Sequence, residues 1–283
     1  MAFNFLGKNR KKVNTEMSFV DHLDDLRKYL FRSAVAIAIG MVIAGIYNDF
    51  IVNQIVLGPL HEDFISFRKL CEWGQQLGFD KSICVDKINI NMQNTSTTGQ
   101  LSLYFTVLFI AGFVIAFPYV FWQFWQFVRP ALTKKELTKT SGVIFWVSFL
   151  FFIGILFGYY FLIPFSINFL ANFSLSDKIQ NIWTIKSYIG TVMPLVLGTG
   201  LAFQLPLVIY FLAHLDVVNT KFLRNNRKYA ILIIVIIAAI ITPPDVVSQM
   251  IVTLPLLLLY EISIFLTRGV ERKKAKEEQE EWS

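Results

Sequence analysis

Charged residues are scarce in this sequence. They make up 16% of its 283 residues, whereas hydrophobic residues make up 55%. The apolar runs between the charges are long enough to cross a bilayer several times, since about 20 residues suffice for one helical span. The composition therefore excludes a water-soluble globular domain and predicts an all-α integral membrane protein.

Recognisable catalytic motifs are also missing. The sequence has no G-x-S-x-G turn and no phosphate-binding P-loop, and His61-Glu62 is followed by Ile65 where an H-E-x-x-H zinc motif needs its second histidine. We therefore expect no catalytic residue, no metal and no cofactor. A binding or assembly scaffold and a transporter are then favoured over an enzyme.

Positive charge is present, but not in the arrangement that binds nucleic acid. The net charge is +6, yet the Lys and Arg residues gather at the ends of the apolar runs instead of forming one stripe between aromatic side chains. Most of them fall in alternate loops, so the positive-inside rule places both termini in the cytoplasm. The charged region before the first span is too long for a cleavable signal peptide, and we expect that span to be a retained anchor.

The apolar runs predict six transmembrane helices in a membrane domain over residues 18–267. The predicted spans are 29–47, 101–122, 142–164, 188–213, 229–241 and 246–267. The fifth is short, about 20 Å at 1.5 Å per residue, against a hydrocarbon core of about 30 Å.

Two polar tails are predicted to flank this domain on its cytoplasmic side. Residues 1–17 have little apolar periodicity and are expected to be flexible. Residues 268–283 are too polar, by composition, to bury anything. We expect them to lose order after their first turns.

Small residues, prolines and one amide mark the third and fourth spans. The third span contains three glycines that are predicted to offer small packing surfaces, Gly142, Gly154 and Gly158. The fourth contains residues that predict a bend, Pro194, Gly198, Gly200 and Pro206. Gln204 lies in the middle of the fourth span, where an unpaired amide is costly. It is expected to face another helix, a partner protein or a wet cavity.

A long outer loop, Asn48–Thr98, contains both cysteines of the chain, Cys71 and Cys84. If the loop faces an oxidising compartment, the two can form a disulfide, which typically adds about 2–4 kcal/mol of stability. Two free thiols are the alternative, because the sequence gives no distance between them.

An aromatic-rich stretch, Phe117–Glu136, leaves the second span. Trp and Tyr rings favour the headgroup layer of a bilayer, and Glu136 is an isolated acid in the basic loop that follows. The stretch is interpreted either as an ordinary membrane exit or as a docking surface for a partner that arrives at the membrane.

An amphipathic helix is predicted before the first span. Ser18 and Asp21 have the spacing of a capping box. The polar side of the helix carries Asp24, Asp25, Arg27 and Lys28. Early acids and late bases suit the helix dipole, so stabilisation of the helix is one explanation of these charges and a binding role is the other.

Several stretches, taken in order, resemble the TatC family of the twin-arginine protein translocase. They are HLDDLRKYL at His22–Leu30, FPYVFWQFWQFVRPALTKKE at Phe117–Glu136, the pattern Gly154, Phe157, Gly158, Tyr160 and Pro164, FQLP at Phe203–Pro206, and TPPDVVSQ at Thr242–Gln249 with Pro255, Tyr260 and Glu261. Each stretch alone is a weak match, but the ordered set on six predicted spans is specific.

The resemblance implies a receptor for signal peptides that carry two consecutive arginines, on folded proteins crossing the bacterial inner membrane. In this family, acids of the amino-terminal helix and of the first cytoplasmic loop take part in recognition. These roles fall here on Asp25 and Glu136, with Asp24 beside them, and Arg27 is expected to hold one of the acids. Three residues are expected to shape the loop, Phe127, Pro118 and Pro130.

The resemblance also implies partners. Single-span TatA or TatB proteins are expected to dock near Gln204, and a concave surface of the fourth to sixth spans to accept the apolar part of the signal. We further expect contact with membrane lipid, a homo-oligomer within a larger complex, and energy from the proton-motive force. Structural roles are expected for four residues of the last matching stretch, Pro243, Pro244, Asp245 and Gln249.

Two positions depart from the family pattern. Asp25 stands where Glu is common, which shortens the reach of the carboxylate by one methylene, and Gln204 stands where many relatives have Glu.

The alternative function is a secondary transporter or channel for a small solute or ion, with Gln204 and Glu261 in a polar path. Solute flux into vesicles containing only this chain would favour that alternative.

Overall fold

A computed structural model gives the fold of the chain. It describes residues 19–61, 92–129, 142–176 and 182–281, with short pieces at 64–66, 68–69 and 178. These residues are almost entirely helical, and their one β-bridge joins Gln93 to Thr184. The expected tail over 1–17, the loop residues Pro130 and Glu136, and both cysteines lie outside the described residues.

The first two long helices form a pair. Helix α1 runs over Phe19–Ile46 and helix α2 over Gly99–Val128. Their backbones cross closely where Gly40 meets Gly112, since a methyl group built on Gly112 would lie 2.6 Å from the backbone nitrogen of Met41. The pair can therefore approach this closely only with glycine at the crossing.

Helix α2 extends past Trp122, the end predicted for the second span. It continues to Val128, with Pro118 inside it. Most of the aromatic-rich stretch is thus helical, and the chain leaves the helix only at Arg129.

The third span is one continuous helical rod with a π-helical insert. Helix α3, Val143–Phe157, passes into a π-helical turn at Gly158–Leu162 and then into helix α4, Ile163–Asn172. The fourth span is broken instead. Helix α5, Ile185–Ala202, stops before Phe203 and Gln204, and helix α6, Leu205–His214, restarts with Pro206 in its first turn. The interruption lies directly before Pro206, one of the residues that predict a bend in the fourth span.

Glycines bring α3 and α5 together. A methyl group built on Gly154 would lie 2.8 Å from the Cα of Gly200 and 2.8 Å from the carbonyl oxygen of Thr199. Gly158 likewise meets the Thr199 hydroxyl. The packing role predicted for these two glycines is confirmed. For Gly142, which sits at the start of α3 with a positive φ of 98°, no described atom lies within 4 Å of an added methyl group, and its packing role stays a prediction.

Two tyrosines hold the segment that follows α1. This segment is π-helical over Phe50–Val56. The Tyr159 hydroxyl donates a hydrogen bond to the Ile55 carbonyl at 2.8 Å, and the buried Tyr188 hydroxyl donates to the Val56 carbonyl at 2.7 Å. The carboxyl-terminal end of the first span is therefore fixed by the third and fourth spans.

The remaining helices follow a turn after α6. A six-residue helix, α7 (Thr220–Asn225), leads into α8 (Arg227–Ile241), and α9 covers Val246–Glu281. Among the described residues, five stretches are long and apolar enough to cross a membrane, Asp24–Ile46, Gly99–Val128, Val143–Asn172, Ile185–His214 and Val246–Lys276. With 15 residues, α8 is shorter than these. The all-α membrane fold with a short fifth helix is confirmed.

The carboxyl-terminal charged tail differs from the prediction. Helix α9 continues to Glu281 instead of losing order, and Val270 is buried. The Glu271 carboxylate accepts from the Thr220 backbone nitrogen at 2.7 Å and from its hydroxyl at 2.6 Å. The Lys274 ammonium donates to the His214 carbonyl at 2.7 Å and to both Asp216 carboxylate oxygens at 2.8 Å.

These contacts explain why the tail is ordered. Lys274 satisfies a carbonyl at the end of α6, and Glu271 satisfies a backbone N–H at the start of α7, where helices leave such groups unpaired. The extension of α9 thus closes both sides of the turn between α6 and α7.

Replacing Gly154 with Ala should destabilise the fold, because the new methyl group meets backbone atoms of α5 that cannot rotate away. Overpacking of this kind costs about 1–3 kcal/mol. Gly190→Ala is the matched control, since no described atom lies within 4 Å of a methyl group built on Gly190. Thermal unfolding in detergent should show a lower midpoint for Gly154→Ala only. Equal midpoints for both variants would contradict the packing role.

Replacing Lys274 with Ala should loosen the turn between α6 and α7. A partly buried, charge-assisted hydrogen bond contributes about 1.5 kcal/mol, which corresponds to a roughly tenfold larger population of the open turn. Amide hydrogen exchange over residues 215–225 measures this opening. Lys273→Ala is the control, because Lys273 is exposed on the same helix. Unchanged exchange in the Lys274 variant would show that α9 does not hold the turn.

Candidate functional site

The first candidate surface lies at the start of α1, which carries the predicted acids. Asp24 and Arg27 are exposed. The Asp25 carboxylate is paired with the Lys28 ammonium at 3.1 Å, and the Asp25 side chain is 34% exposed. Among the described residues, the partner of Asp25 is therefore Lys28 and not Arg27, as expected from the i, i+3 spacing of two opposite charges on a helix.

The start of α1 lies beside the end of α2. The ring of Tyr29 meets the ring of Phe127 edge to face, with centroids 6.5 Å apart. Asp25 precedes Tyr29 by four residues, about one helical turn, so both lie on the same side of α1. Phe127 lies just before Arg129, where the chain leaves α2. The structure thus brings Asp25 near the beginning of the loop that contains Glu136, although Glu136 itself lies outside the described residues.

The second candidate surface surrounds Gln204, at the break between α5 and α6. Its amide nitrogen donates to the Val147 carbonyl of α3 at 3.1 Å. Its amide oxygen is buried and has no hydrogen-bond partner among the described residues. Gln204 therefore faces another helix, and it still offers one acceptor. An amide oxygen left without a donor in an apolar surrounding costs about 1–3 kcal/mol.

A second buried amide was not predicted. The side chain of Gln123 on α2 is 2% exposed, and its amide oxygen also has no partner in the described part of the chain. Its position on the buried side could have been inferred from spacing, because Gly112 and Ala116 precede it at helical intervals on the same face. The surrounding aromatic residues obscured that pattern.

Glu261, on α9, forms an ion pair with Arg227 at the start of α8. Its carboxylate accepts from the Arg227 guanidinium at 2.8 Å, and the two side chains are 53% and 49% exposed. Gln204 and Glu261 are thus held by different helices, the former by α3 and the latter by α8. The structure does not bring them into one polar path.

The residues of the stretch TPPDVVSQ shape the turn between α8 and α9. The Asp245 backbone nitrogen donates to the Pro243 carbonyl at 2.7 Å, and Pro244 lies within this turn. The Asp245 carboxylate, buried at 4% exposure, accepts from the Ser248 backbone nitrogen at 2.5 Å. This bond caps the start of α9. The amide of Gln249 makes a long contact of 3.4 Å to the Val235 carbonyl of α8.

Comparison with known families agrees with this architecture. The family model described as "TatC: Sec-independent protein translocase protein (TatC)" matches residues 21–255. That range runs from the start of α1 into α9 and includes Asp25, Gln204 and Asp245.

Curated relatives match over nearly the whole chain. The Sec-independent protein translocase protein TatC of Blattabacterium sp. subsp. Periplaneta americana (strain BPLAN) is 37% identical over 93% of this chain and 100% of its own length. The protein of the same name from Desulforapulum autotrophicum is also 37% identical, over 93% of this chain and 88% of its own length.

A solved structure is similar as well. The crystal structure titled "Twin Arginine Translocase Receptor- TatC" is 32% identical, with a TM-score of 0.67, and the match covers 87% of this chain and 98% of that chain. Together the comparisons support a core translocase subunit and not the solute transporter or an enzyme. This multi-pass membrane protein belongs to the TatC family of Sec-independent protein translocase components.

Proposed function

We propose that this chain is the receptor subunit that binds twin-arginine signal peptides. The observation that carries the proposal is the position of Asp25, a partly exposed carboxylate beside the end of α2, whose ion pair among the described residues is a short helical contact with Lys28. Pairs of this kind contribute a few tenths of a kcal/mol. An incoming cation can therefore replace Lys28 at little cost.

Arginine suits this exchange better than lysine. A guanidinium is planar and can donate two parallel hydrogen bonds to one carboxylate, whereas an ammonium acts as a point charge. With Asp25 on α1 and Glu136 in the loop after α2, two acids would meet two arginines. The contact of Tyr29 with Phe127 then keeps α1, which carries Asp25, beside the end of α2, which leads into the loop with Glu136. Pro118 shapes the end of α2, and Pro130 shapes the loop. Asp24 and Arg27 complete the surface.

The proposed orientation places this surface in the cytoplasm of a bacterial cell, with the chain in the inner membrane. Lys and Arg gather at the ends of α1, α2, α6 and α9 that lie on this side, as the positive-inside rule requires. A signal peptide reaches the surface before its cargo crosses the membrane.

Membership in the family itself implies a complex with other Tat subunits. For the partners, we propose single-span TatA- or TatB-type helices that dock beside the broken fourth span near Gln204, and further copies of this chain. The buried amide oxygen of Gln204 supports this site, because a donor from a partner helix would satisfy it. The proton-motive force is proposed to supply the energy.

The receptor proposal predicts selective binding of arginine. The purified chain in detergent should bind a signal peptide with Arg-Arg more tightly than the same peptide with Lys-Lys. Charge-assisted hydrogen bonds contribute about 1.5–3 kcal/mol each, so Asp25→Asn or Glu136→Gln should weaken binding by about tenfold or more. Fluorescence anisotropy of a labelled peptide measures this binding.

Asp49→Asn is the matched control for that experiment, since Asp49 is an exposed acid near the opposite end of α1. It should leave the Arg-Arg preference intact. Equal binding of the two peptides, or equal effects of the three substitutions, would reject the receptor proposal.

The partner proposal predicts that Gln204→Leu separates the single-span partner from this chain. The variant loses one hydrogen bond to Val147, so the free energy of unfolding of the isolated chain should fall by only about 1 kcal/mol. Co-purification of the partner should fall strongly, whereas Gln204→Glu should keep it, since a carboxylate retains the acceptor. Thr191→Val is the control, because the Thr191 hydroxyl bonds to the Ser187 carbonyl of its own helix. Full co-purification with Gln204→Leu would contradict the site.

A further inference from the structure

The short helix α7 has one side fixed against α9. The Tyr260 hydroxyl donates to the Leu223 carbonyl at 2.8 Å, and the Leu223 side chain is 6% exposed. The Glu271 carboxylate holds the first residue of α7, Thr220. The Asn219 side chain also caps α7, by accepting from the Phe222 backbone nitrogen at 2.7 Å. These contacts leave α7 a single orientation.

The other side of α7 and the first turn of α8 carry exposed cations and aromatic rings. The cations are Lys221, Arg224 and Lys228, and the rings are Phe222 and Tyr229, exposed at 52% and 55%. We call these five residues the basic shelf. Within it, the Lys228 ammonium lies 5.1 Å from the ring centroid of Tyr229.

The three cations of the basic shelf have no acidic partner among the described residues. Three described acids of the neighbouring helices and turn have other partners: Glu261 pairs with Arg227, Asp216 pairs with Lys274, and Glu271 accepts from Thr220. The shelf therefore presents three cations that no described carboxylate contacts, while the neighbouring Glu271 carboxylate is bound by the neutral groups of Thr220. A ligand that complements it must be anionic.

The length of α8 bears on how deep the basic shelf lies in the bilayer. Its 15 residues span only about 22 Å at 1.5 Å per residue, whereas the hydrocarbon core is about 30 Å thick. A span this short draws its flanking residues toward the hydrocarbon or thins the bilayer beside it. The basic shelf, directly before α8, then lies at the level of the lipid phosphates, and Phe222 and Tyr229 suit the same layer.

We infer that the basic shelf binds the phosphate of an anionic phospholipid and thereby anchors the short helix α8 in the membrane. Lys221, Arg224 and Lys228 provide the charge, and Phe222 and Tyr229 contact the glycerol and upper acyl region. The α9 extension, through Glu271, positions the shelf. This inference rests on the membrane placement of α8 and is independent of signal-peptide recognition.

Lipid binding by the full chain tests the inference. The purified protein in detergent is titrated with phosphatidylglycerol or phosphatidylcholine, and bound lipid is counted by native mass spectrometry. The unmodified chain should retain phosphatidylglycerol preferentially. Because each basic residue near an anionic surface contributes roughly fivefold in affinity, Lys221→Gln/Arg224→Gln/Lys228→Gln should weaken this binding by at least about tenfold.

The matched control removes three cations elsewhere. Arg268→Gln/Arg272→Gln/Lys273→Gln changes the net charge equally on exposed positions of α9. It should change phosphatidylglycerol binding by less than about threefold if binding is local. Equal losses in both triple variants would show an effect of overall charge, and no loss in the shelf variant would show that lipid does not bind there. Either result overturns the inference.

Two further readouts separate the possible failures. Thermal unfolding of both triple variants identifies any loss of fold, in which case Arg224→Gln alone is titrated instead. Arg-Arg peptide binding, measured on the same preparations, should be unchanged by the shelf variant. If lipid binding is unchanged but the shelf variant loses a co-purifying Tat subunit, the shelf binds an acidic protein segment and the lipid assignment is wrong.

Discussion

Close contact between helix backbones at glycine is the constraint on which this structure depends. In a bilayer, lipid tails are as apolar as leucine, so helices associate through close packing and not through removal of apolar surface from water. Gly154 meets Gly200 between α3 and α5, and Gly40 meets Gly112 between α1 and α2. The first contact lets Gln204 reach the Val147 carbonyl. The second contact sets α1 against α2, so that Tyr29 of α1 meets Phe127 near the end of α2.

The parts of the fold that the sequence predicted are those governed by local constraints. Bilayer thickness sets the length of an apolar run, and a proline removes a backbone donor, so the long spans, the short α8 and the break before Pro206 could be inferred from neighbouring residues. The order of the charged tail could not. Its contacts join Glu271 to Thr220 and Lys274 to Asp216, pairs that are 51 and 58 residues apart. Composition alone favoured a solvated segment.

The candidate site was predicted in a similarly uneven way. The position of Asp25 followed from a motif on one helix, and its pairing with Lys28 follows from helical spacing. The proximity of Asp25 to the end of α2 depends on the packing of Tyr29 against Phe127, which no spacing in the sequence predicts. Gln123 was missed for a different reason. The aromatic residues around it favoured the interpretation of this stretch as a membrane interface. A buried amide on the face of Gly112 and Ala116 calls instead for a helix-packing interpretation.

The buried and interfacial polar groups fall into two kinds, and the difference bears on function. At the turn between α6 and α7, Glu271 and Lys274 each satisfy backbone and side-chain groups. The amides of Gln123 and Gln204, in contrast, each keep a buried oxygen without a donor in the described chain. Completed networks rigidify a fold, whereas an unsatisfied acceptor is costly until something supplies a donor. We propose that the donor for Gln204 comes from a partner helix in the assembled complex, which is the physical reason to seek the partner surface beside the broken fourth span.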